Sequence, residues 1–215
     1  LVNSNSSELV NVMLSNDSAK CLIVSIPTLK YQKLGHQLGK MLLQELSWCV
    51  GKRENLESKE FISVFLDEFS EFAYDEFISV LNKARSAKVG LHLCHQSLSD
   101  LTKVSDSFAR GINTNTNIKC VLGLNDPETA DFYARHFGTT STVKLTQQVQ
   151  EIGWFRKKEE TGKGSMREVE EYKVHPNVLK ELYEGNGVIH LPTRNGSVTE
   201  RIKFKPIEAK ELGID

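Results

Sequence analysis

Apolar and polar positions along this chain follow two periods. Phe61 to Leu66 is apolar at every position except Ser63, and the run stops at two adjacent carboxylates, Asp67 and Glu68. So short and so apolar a run predicts a strand buried on both faces, as at the centre of a parallel α/β sheet. Cys21 to Ile26, closed by Pro27, predicts a second buried strand. Between them, Leu34, Leu38, Met41, Leu42 and Cys49 recur at three- and four-residue intervals, which predicts a helix over Tyr31 to Arg53. Strand, helix and strand make one βαβ unit, whose right-handed crossover sets the two strands parallel.

The pattern continues in the same alternation. A helix is expected over Ala73 to Ser86, with Phe77, Ile78, Leu81 and Ala84 inward, then a strand over Val89 to Cys94 that ends in His95-Gln96-Ser97. Short helices through Leu98 and Leu101 and through Phe108 and Ile112 lead to a strand over Ile118 to Leu122. Asp126 as N-cap and Pro127 in the first turn open a helix that Gly138 closes. At the amino end, Leu9, Val10, Met13 and Leu14 fit a short helix capped by Ser6 or Ser7, followed by a turn at Asp17-Ser18. Residues 139–170 turn polar and read as an exposed excursion, a hairpin through Ile152 to Phe155 with Thr161 to Ser165 at its tip. A helix over Pro176 to Tyr183, a turn at Gly185 to Gly187 and strands over Val188 to Leu191 and Arg201 to Phe204 complete the pattern. Alternation of this kind predicts a doubly wound, mostly parallel three-layer α/β sheet.

Composition narrows the classes. The 215 residues carry a net charge of −1, so no global positive field draws the chain to nucleic acid or an anionic membrane. Cys21, Cys49, Cys94 and Cys120 lie far apart, mostly in apolar runs, and read as buried thiols rather than zinc ligands. The apolar runs are too short to cross a bilayer. His92 and His95 flank Cys94, but three positions along a strand put them on opposite faces, against a metal site. Trp48 and Trp154 read as core and hairpin anchors, and Arg156 to Lys158 as a solvated face.

Two acids at the carboxyl end of a central strand have a defined use in nucleotide hydrolases. The first holds Mg²⁺, usually through a water, and the second polarises the attacking water. Gln96, at the end of the neighbouring strand, is a neutral amide able to orient that water. Arg85, at the far end of the intervening helix, suits contact with a neighbouring subunit's phosphate. The phosphate-binding pattern G-x-x-x-x-G-K-[ST] does not occur, and Gly162-Lys163-Gly164-Ser165 has neither its spacing nor its strand-loop-helix context.

The ordered set Leu66-Asp67-Glu68-Phe69, Lys83-Ala84-Arg85, His95-Gln96-Ser97-Leu98-Ser99-Asp100-Leu101 and Leu124-Asn125-Asp126-Pro127-Glu128-Thr129-Ala130 resembles the TraG/TraD coupling proteins of conjugative and type IV secretion systems. The resemblance runs from about Ser18 to Phe204. It implies the Walker B half of a RecA-like P-loop NTPase domain, without the Walker A segment. It further implies ATP and Mg²⁺ as cofactors of the complete protein, with Asp67 on Mg²⁺, Glu68 as catalytic base, Gln96 as polar sensor and Arg85 acting in trans. Partners implied are a relaxosome or accessory DNA-binding protein, DNA, secretion-channel components and further copies in a ring, at the cytoplasmic face of the bacterial inner membrane. Residues 1–17 would be the return from an upstream all-helical insertion, 18–208 the nucleotide-binding part and 209–215 a tail. The start at Leu1 rather than Met fits a piece of a longer protein, inactive alone. One alternative is a non-catalytic docking module for an accessory protein or secretion substrate; another is a fragment of an FtsK/HerA-type DNA translocase.

Overall fold

A computed structural model describes residues 7–15, 21–152 and 157–207. The chain divides into two compact units, Leu1–Asn117 and Ile118–Asp215. The turn expected at Asp17-Ser18, Trp154 and the tail 209–215 lie outside the described residues.

In the first unit, α1 (Glu8–Leu14) starts at Ser7, whose side chain accepts from the Val10 amide. A short α2 (Thr28–Tyr31) is separated from α3 (Lys33–Glu54) by Gln32, at a φ of 41°. β1 (Ile62–Leu66) and β2 (Val89–Leu93) pair in parallel, with Ile62 opposite Val89 and Leu66 opposite Leu93. Between them come 3₁₀ turns at Phe69–Glu71 and Asp75–Phe77 and then α4 (Ile78–Ala84). The helix expected from Ala73 thus begins five residues later, because Phe69, Ala73 and Phe77 must all reach one core. α5 (Leu98–Thr102) and α6 (Asp106–Asn115) follow β2.

Four expectations change here. Cys21 to Ile26 forms no strand, and the βαβ unit built on it is absent. An apolar run becomes a strand only against another backbone, and this one pairs with none among the described residues; Ile23 is 86% exposed. β1 is covered on one face only. Ile62, Val64 and Leu66 pack on the core, whereas Phe65 stays 71% exposed and stacks on His92 at 4.2 Å. Of the thiols, only Cys49 is buried, and burial pushes it up to about 11; Cys21, Cys94 and Cys120 are exposed. Trp48 is likewise half exposed, beneath Lys52.

Arg53, near the end of α3, is completely buried. Its guanidinium donates to the carbonyls of Met13 in α1, Glu60 before β1 and Ala87 before β2. Burial lowers its pKa, but a guanidinium stays protonated, so a charged fork ties three segments to one helix.

The second unit holds β3 (Lys119–Leu122), which pairs antiparallel with β6 (Asn186–Thr193), itself antiparallel to β7 (Gly196–Lys203). α7 (Pro127–Phe137) has the expected ends: the Asp126 carboxylate accepts from the Glu128 and Thr129 amides, and Gly138 closes it at a φ of 87°. α8 (Pro176–Lys180) packs with α7 through Leu179. β4 (Thr139–Ile152) and β5 (Lys157–Tyr172) form the expected hairpin. Thr161 to Ser165, expected at the tip, lies instead within β5, and residues 153–156 fall outside the described residues. Gly164 faces Gln147, and the register shifts beside it, where glycine tolerates the irregular backbone. Among the described residues the sheets are therefore three and small, with β1–β2 the parallel pair, instead of one mostly parallel sheet.

Lys119 is buried opposite His190 across β3–β6, and the His136 ring lies 5.7 Å from that of His190. Burial, and then the Lys119 charge, hold His136 below its ordinary pKa; burial, Lys173 and Lys119 do the same to His190.

Two outcomes follow. Arg53→Ala strands three inward carbonyls and should lower unfolding free energy by more than about 3 kcal/mol, with Arg53→Lys recovering only part because an ammonium cannot fork; a loss below about 1 kcal/mol in urea titration would contradict the keystone role. The two histidines contribute their full stability above 6.5, and it is lost as pH falls from there toward their lowered folded values. NMR midpoints of both should lie below 6.5 and rise in Lys119→Met.

Candidate functional site

The parallel ladder runs on past the ends of β1 and β2. The Cys94 amide donates to the Leu66 carbonyl and the Phe69 amide to the Cys94 carbonyl, each at 3.0 Å. These two bonds set Asp67 and Glu68 level with Cys94, His95 and Gln96 at the carboxyl ends of adjacent parallel strands, where open α/β sheets bind ligands. Phe69 anchors the turn from below: it is fully buried, 5.1 Å from the Phe77 ring and 6.0 Å from that of Phe108.

The chain reverses at Glu68, which takes the left-handed conformation at φ 48°, ψ 39°. For a residue with a Cβ this costs about 1–2 kcal/mol. Its neighbours hold it there: its own amide donates to Asp67 Oδ1 at 3.0 Å, and its carbonyl accepts from the Glu71 amide at 3.0 Å. Phe72, at the end of the turn, lies in a notch on α3. A Cβ added at Gly39 would come within 2.0 Å of the Phe72 ring.

Asp67, Glu68 and Gln96 line one cleft of about 870 Å³, walled on the other side by the α2–α3 junction with Thr28, Lys33 and His36. Its volume falls within the about 300–1,000 Å³ usual for small-molecule sites. Both acids and Gln96 are exposed to it. Arg85 is not in the cleft: it caps the far end of α4, exposed, just before β2 begins. A strand's length separates it from Gln96, on the order of 15 Å.

The sequence reading gives no role to five other charged groups at this cleft: Lys33, His36, Glu71, Asp100 and Lys103. Ser97 and Asp100 cap α5 reciprocally, with the Ser97 amide donating to Asp100 Oδ2 at 3.0 Å. The S-x-x-D spacing was the available signal. Lys103 Nζ, 2.9 Å from Asp100 Oδ1, and then Ser97 hold the Asp100 carboxyl below its usual range, while Asp100 raises Lys103. Burial pushes the His95 imidazole down, and its Nδ1 sits 2.9 Å from the Ser97 carbonyl. Nδ1 therefore carries the hydrogen and the neutral ring keeps Nε2 as an acceptor.

No group of three or more His, Cys, Asp or Glu able to cage a metal occurs among the described residues. Asp67 and Glu68 instead suit Mg²⁺, which keeps its waters and takes one or two carboxylates alongside substrate phosphates. Lys33 and Lys103 offer cations for such phosphates at the same cleft. No described helix is long and apolar enough to cross a membrane.

Residues 62–183 match the family described as the TraM recognition site of TraD and TraG. The chain is 30% identical over 153 residues to the type 4 coupling protein DotL of Legionella pneumophila, spanning 70% of this chain and 19% of DotL. Among solved structures, the bacterial conjugative coupling protein TrwB lacking its amino-terminal segment, in its unbound monoclinic form, superposes with a TM-score of 0.59 at 16% identity, over 78% of this chain and 36% of that one. TrwB in complex with ADP and Mg²⁺ superposes with 0.57 at 17% identity, over 80% and 39%. At such identities the likeness is one of fold. The chain spans about a fifth of DotL and less than two fifths of those TrwB chains.

Two glycines of α3 provide an internal comparison for the notch that seats Phe72. Gly51 has open space around it, so Gly51→Ala should stabilise by up to about 1 kcal/mol through helix propensity. Gly39→Ala has the same gain but drives into Phe72, so it should destabilise by about 1–2 kcal/mol net and shift the amide signals of residues 68 to 72. Equal effects of the two substitutions would remove α3 as the support of the carboxylate turn.

Proposed function

Because the chain belongs to the TraD/TraG family of coupling proteins, we propose that it is the carboxylate-bearing half of the ATPase motor of a coupling protein, which links a relaxosome or other substrate to a secretion channel and drives DNA transfer. One observation carries the reading: the ladder bonds at Cys94 bring Asp67, Glu68 and Gln96 to one cleft at the ends of two parallel strands. TrwB, whose fold this chain shares, is known in complex with ADP and Mg²⁺ and with a non-hydrolysable ATP analogue.

In this reading the strands are part of a RecA-like, three-layer sheet in the complete protein, whose upstream half supplies the phosphate-binding loop. Asp67 would hold Mg²⁺ through a water, and the ion when bound would supply charge neutralisation at the phosphates. Glu68 accepts a proton from the attacking water as the bond between the β,γ-bridging oxygen and the γ-phosphorus breaks, giving ADP and phosphate. Gln96 donates or accepts without adding charge and so fixes that water's direction. Arg85, remote from its own cleft, reaches the phosphates of the next subunit in a ring. The complete protein would work at the cytoplasmic face of the bacterial inner membrane.

A second reading, a docking surface for a relaxosome accessory protein, is favoured by the TraM recognition named for the matched family and by the long β4–β5 hairpin. Capture of that partner by the complete protein should then be lost when the hairpin is deleted, and unchanged capture would count against it.

For the motor reading, Glu68→Gln in the complete protein should cut ATP turnover at least about a hundredfold while nucleotide affinity stays within about threefold. Near-normal turnover would overturn the role of Glu68. Arg85→Ala should also be inactive, yet mixing Arg85→Ala with Glu68→Gln subunits should restore part of the turnover. Absence of such complementation, with mixed assemblies verified, would refute action in trans.

A further inference from the structure

Two strained turns flank the cleft, and one imidazole touches both. Gln32, at a φ of 41°, joins α2 to α3 on one wall; Glu68, at 48°, begins the carboxylate turn on the other. His36 Nδ1 lies 2.9 Å from the Gln32 carbonyl oxygen, and its Nε2 lies 2.7 Å from Glu71 Oε2. The Glu71 amide in turn donates to the Glu68 carbonyl at 3.0 Å.

Neither acceptor has a hydrogen to give, since one is a backbone carbonyl and the other a carboxylate. Both His36 nitrogens must therefore be donors, and the ring that makes this bridge is the imidazolium. Lys33, Asp67, Glu68, Asp100 and Lys103 line the same cleft as His36 and Glu71. Glu71 favours the cation from the turn, Lys40 opposes it from the same helix, and Glu71 also favours the charged form of Lys103, just past the end of α5. The Phe72 ring lies 6.3 Å away, in the notch over Gly39, one turn along the same face of α3. The Gln32 carbonyl first and Glu71 second raise the His36 pKa above 6.5.

We propose that His36 is a positioning residue: as the imidazolium it spans Gln32 and Glu71, fixing the α2–α3 junction and the carboxylate turn at the spacing that suits a Mg-nucleotide, and deprotonation releases the turn. The functional part of this inference rests on the ATP-site reading; the bridge itself does not. An exposed pair adds little to global stability, so its effect is local to the cleft. Because the folded pKa is raised, the bridge is complete below 6.5 and is lost as pH rises through the raised value.

NMR titration of the 215-residue chain tests the bridge without nucleotide. The His36 midpoint should lie above 6.5 and fall in Glu71→Gln, and the Glu68 and Phe69 amides should follow the same titration and cease to do so in His36→Gln. A midpoint indifferent to Glu71, or Glu68 and Phe69 amides that ignore His36, would overturn the proposal. In the complete protein, Mg-ATP affinity should weaken between about pH 6 and about pH 8, and His36→Gln should abolish that dependence. A dependence retained in His36→Gln would overturn the positioning role. Failure of the complete protein to bind Mg-ATP at any pH would instead sink the ATP-site reading, leaving the amide titration to decide the bridge.

Discussion

The first unit is arranged around a cation that water does not reach. The Arg53 guanidinium, completely buried, donates to backbone carbonyls at the end of α1, before β1 and before β2. Such a charge is costly unless every donor is used, and Met13 is a favourable acceptor because it lies in the last turn of α1, at the negative end of the helix. By gripping the segments that enter both strands, Arg53 sets where each begins. The strands then run in step from Ile62–Val89 to Leu66–Leu93. Their carboxyl ends consequently emerge level, and this is why Asp67 and Gln96 share a cleft.

At that opposite end the backbone stores strain instead of relieving it. Glu68 sits in the left-handed region, and Phe69 behind it is packed between Phe77 and Phe108. The buried ring contributes more than the strained dihedral costs, since burying a phenylalanine is worth roughly 1.5–3 kcal/mol against about 1–2 kcal/mol for the conformation. A turn held this way presents two adjacent carboxylates outward from a rigid base. Preorganised acids of that kind suit phosphate chemistry, in which the protein mostly positions groups and neutralises charge.

Much of this was legible in residue order, and the reasons for the exceptions are specific. α7 could be read to the residue because Asp126, Pro127 and Gly138 act locally. The β1–β2 pair was legible because a five-residue apolar strand has few alternatives. Cys21 to Ile26 has the same composition, but strand formation needs a partner edge, which no local pattern encodes. The same limit hid the open face of β1, where Phe65 stacks on His92 and stays largely exposed. Arg53 reads in sequence as an ordinary basic residue at a helix end, and its burial depends on three carbonyls, two of them 34 and 40 positions away in the chain. Glu71 carries no local signal of its role, because its bond to His36 spans 35 positions. In the hairpin, glycines at 162 and 164 suggest a tip, but a register shift uses them within the strand.

The central claim is that this chain supplies the acids of an ATP site whose phosphate-binding loop lies elsewhere in the complete protein. Calorimetric titration of Mg-ATP into the 215-residue chain and into the complete protein, each beside its Asp67→Ala variant, tests it most directly. The account predicts no measurable binding to the isolated chain and Asp67-dependent binding to the complete protein. Tight, Asp67-dependent binding to the chain alone would contradict it, because a whole site would then exist within these residues.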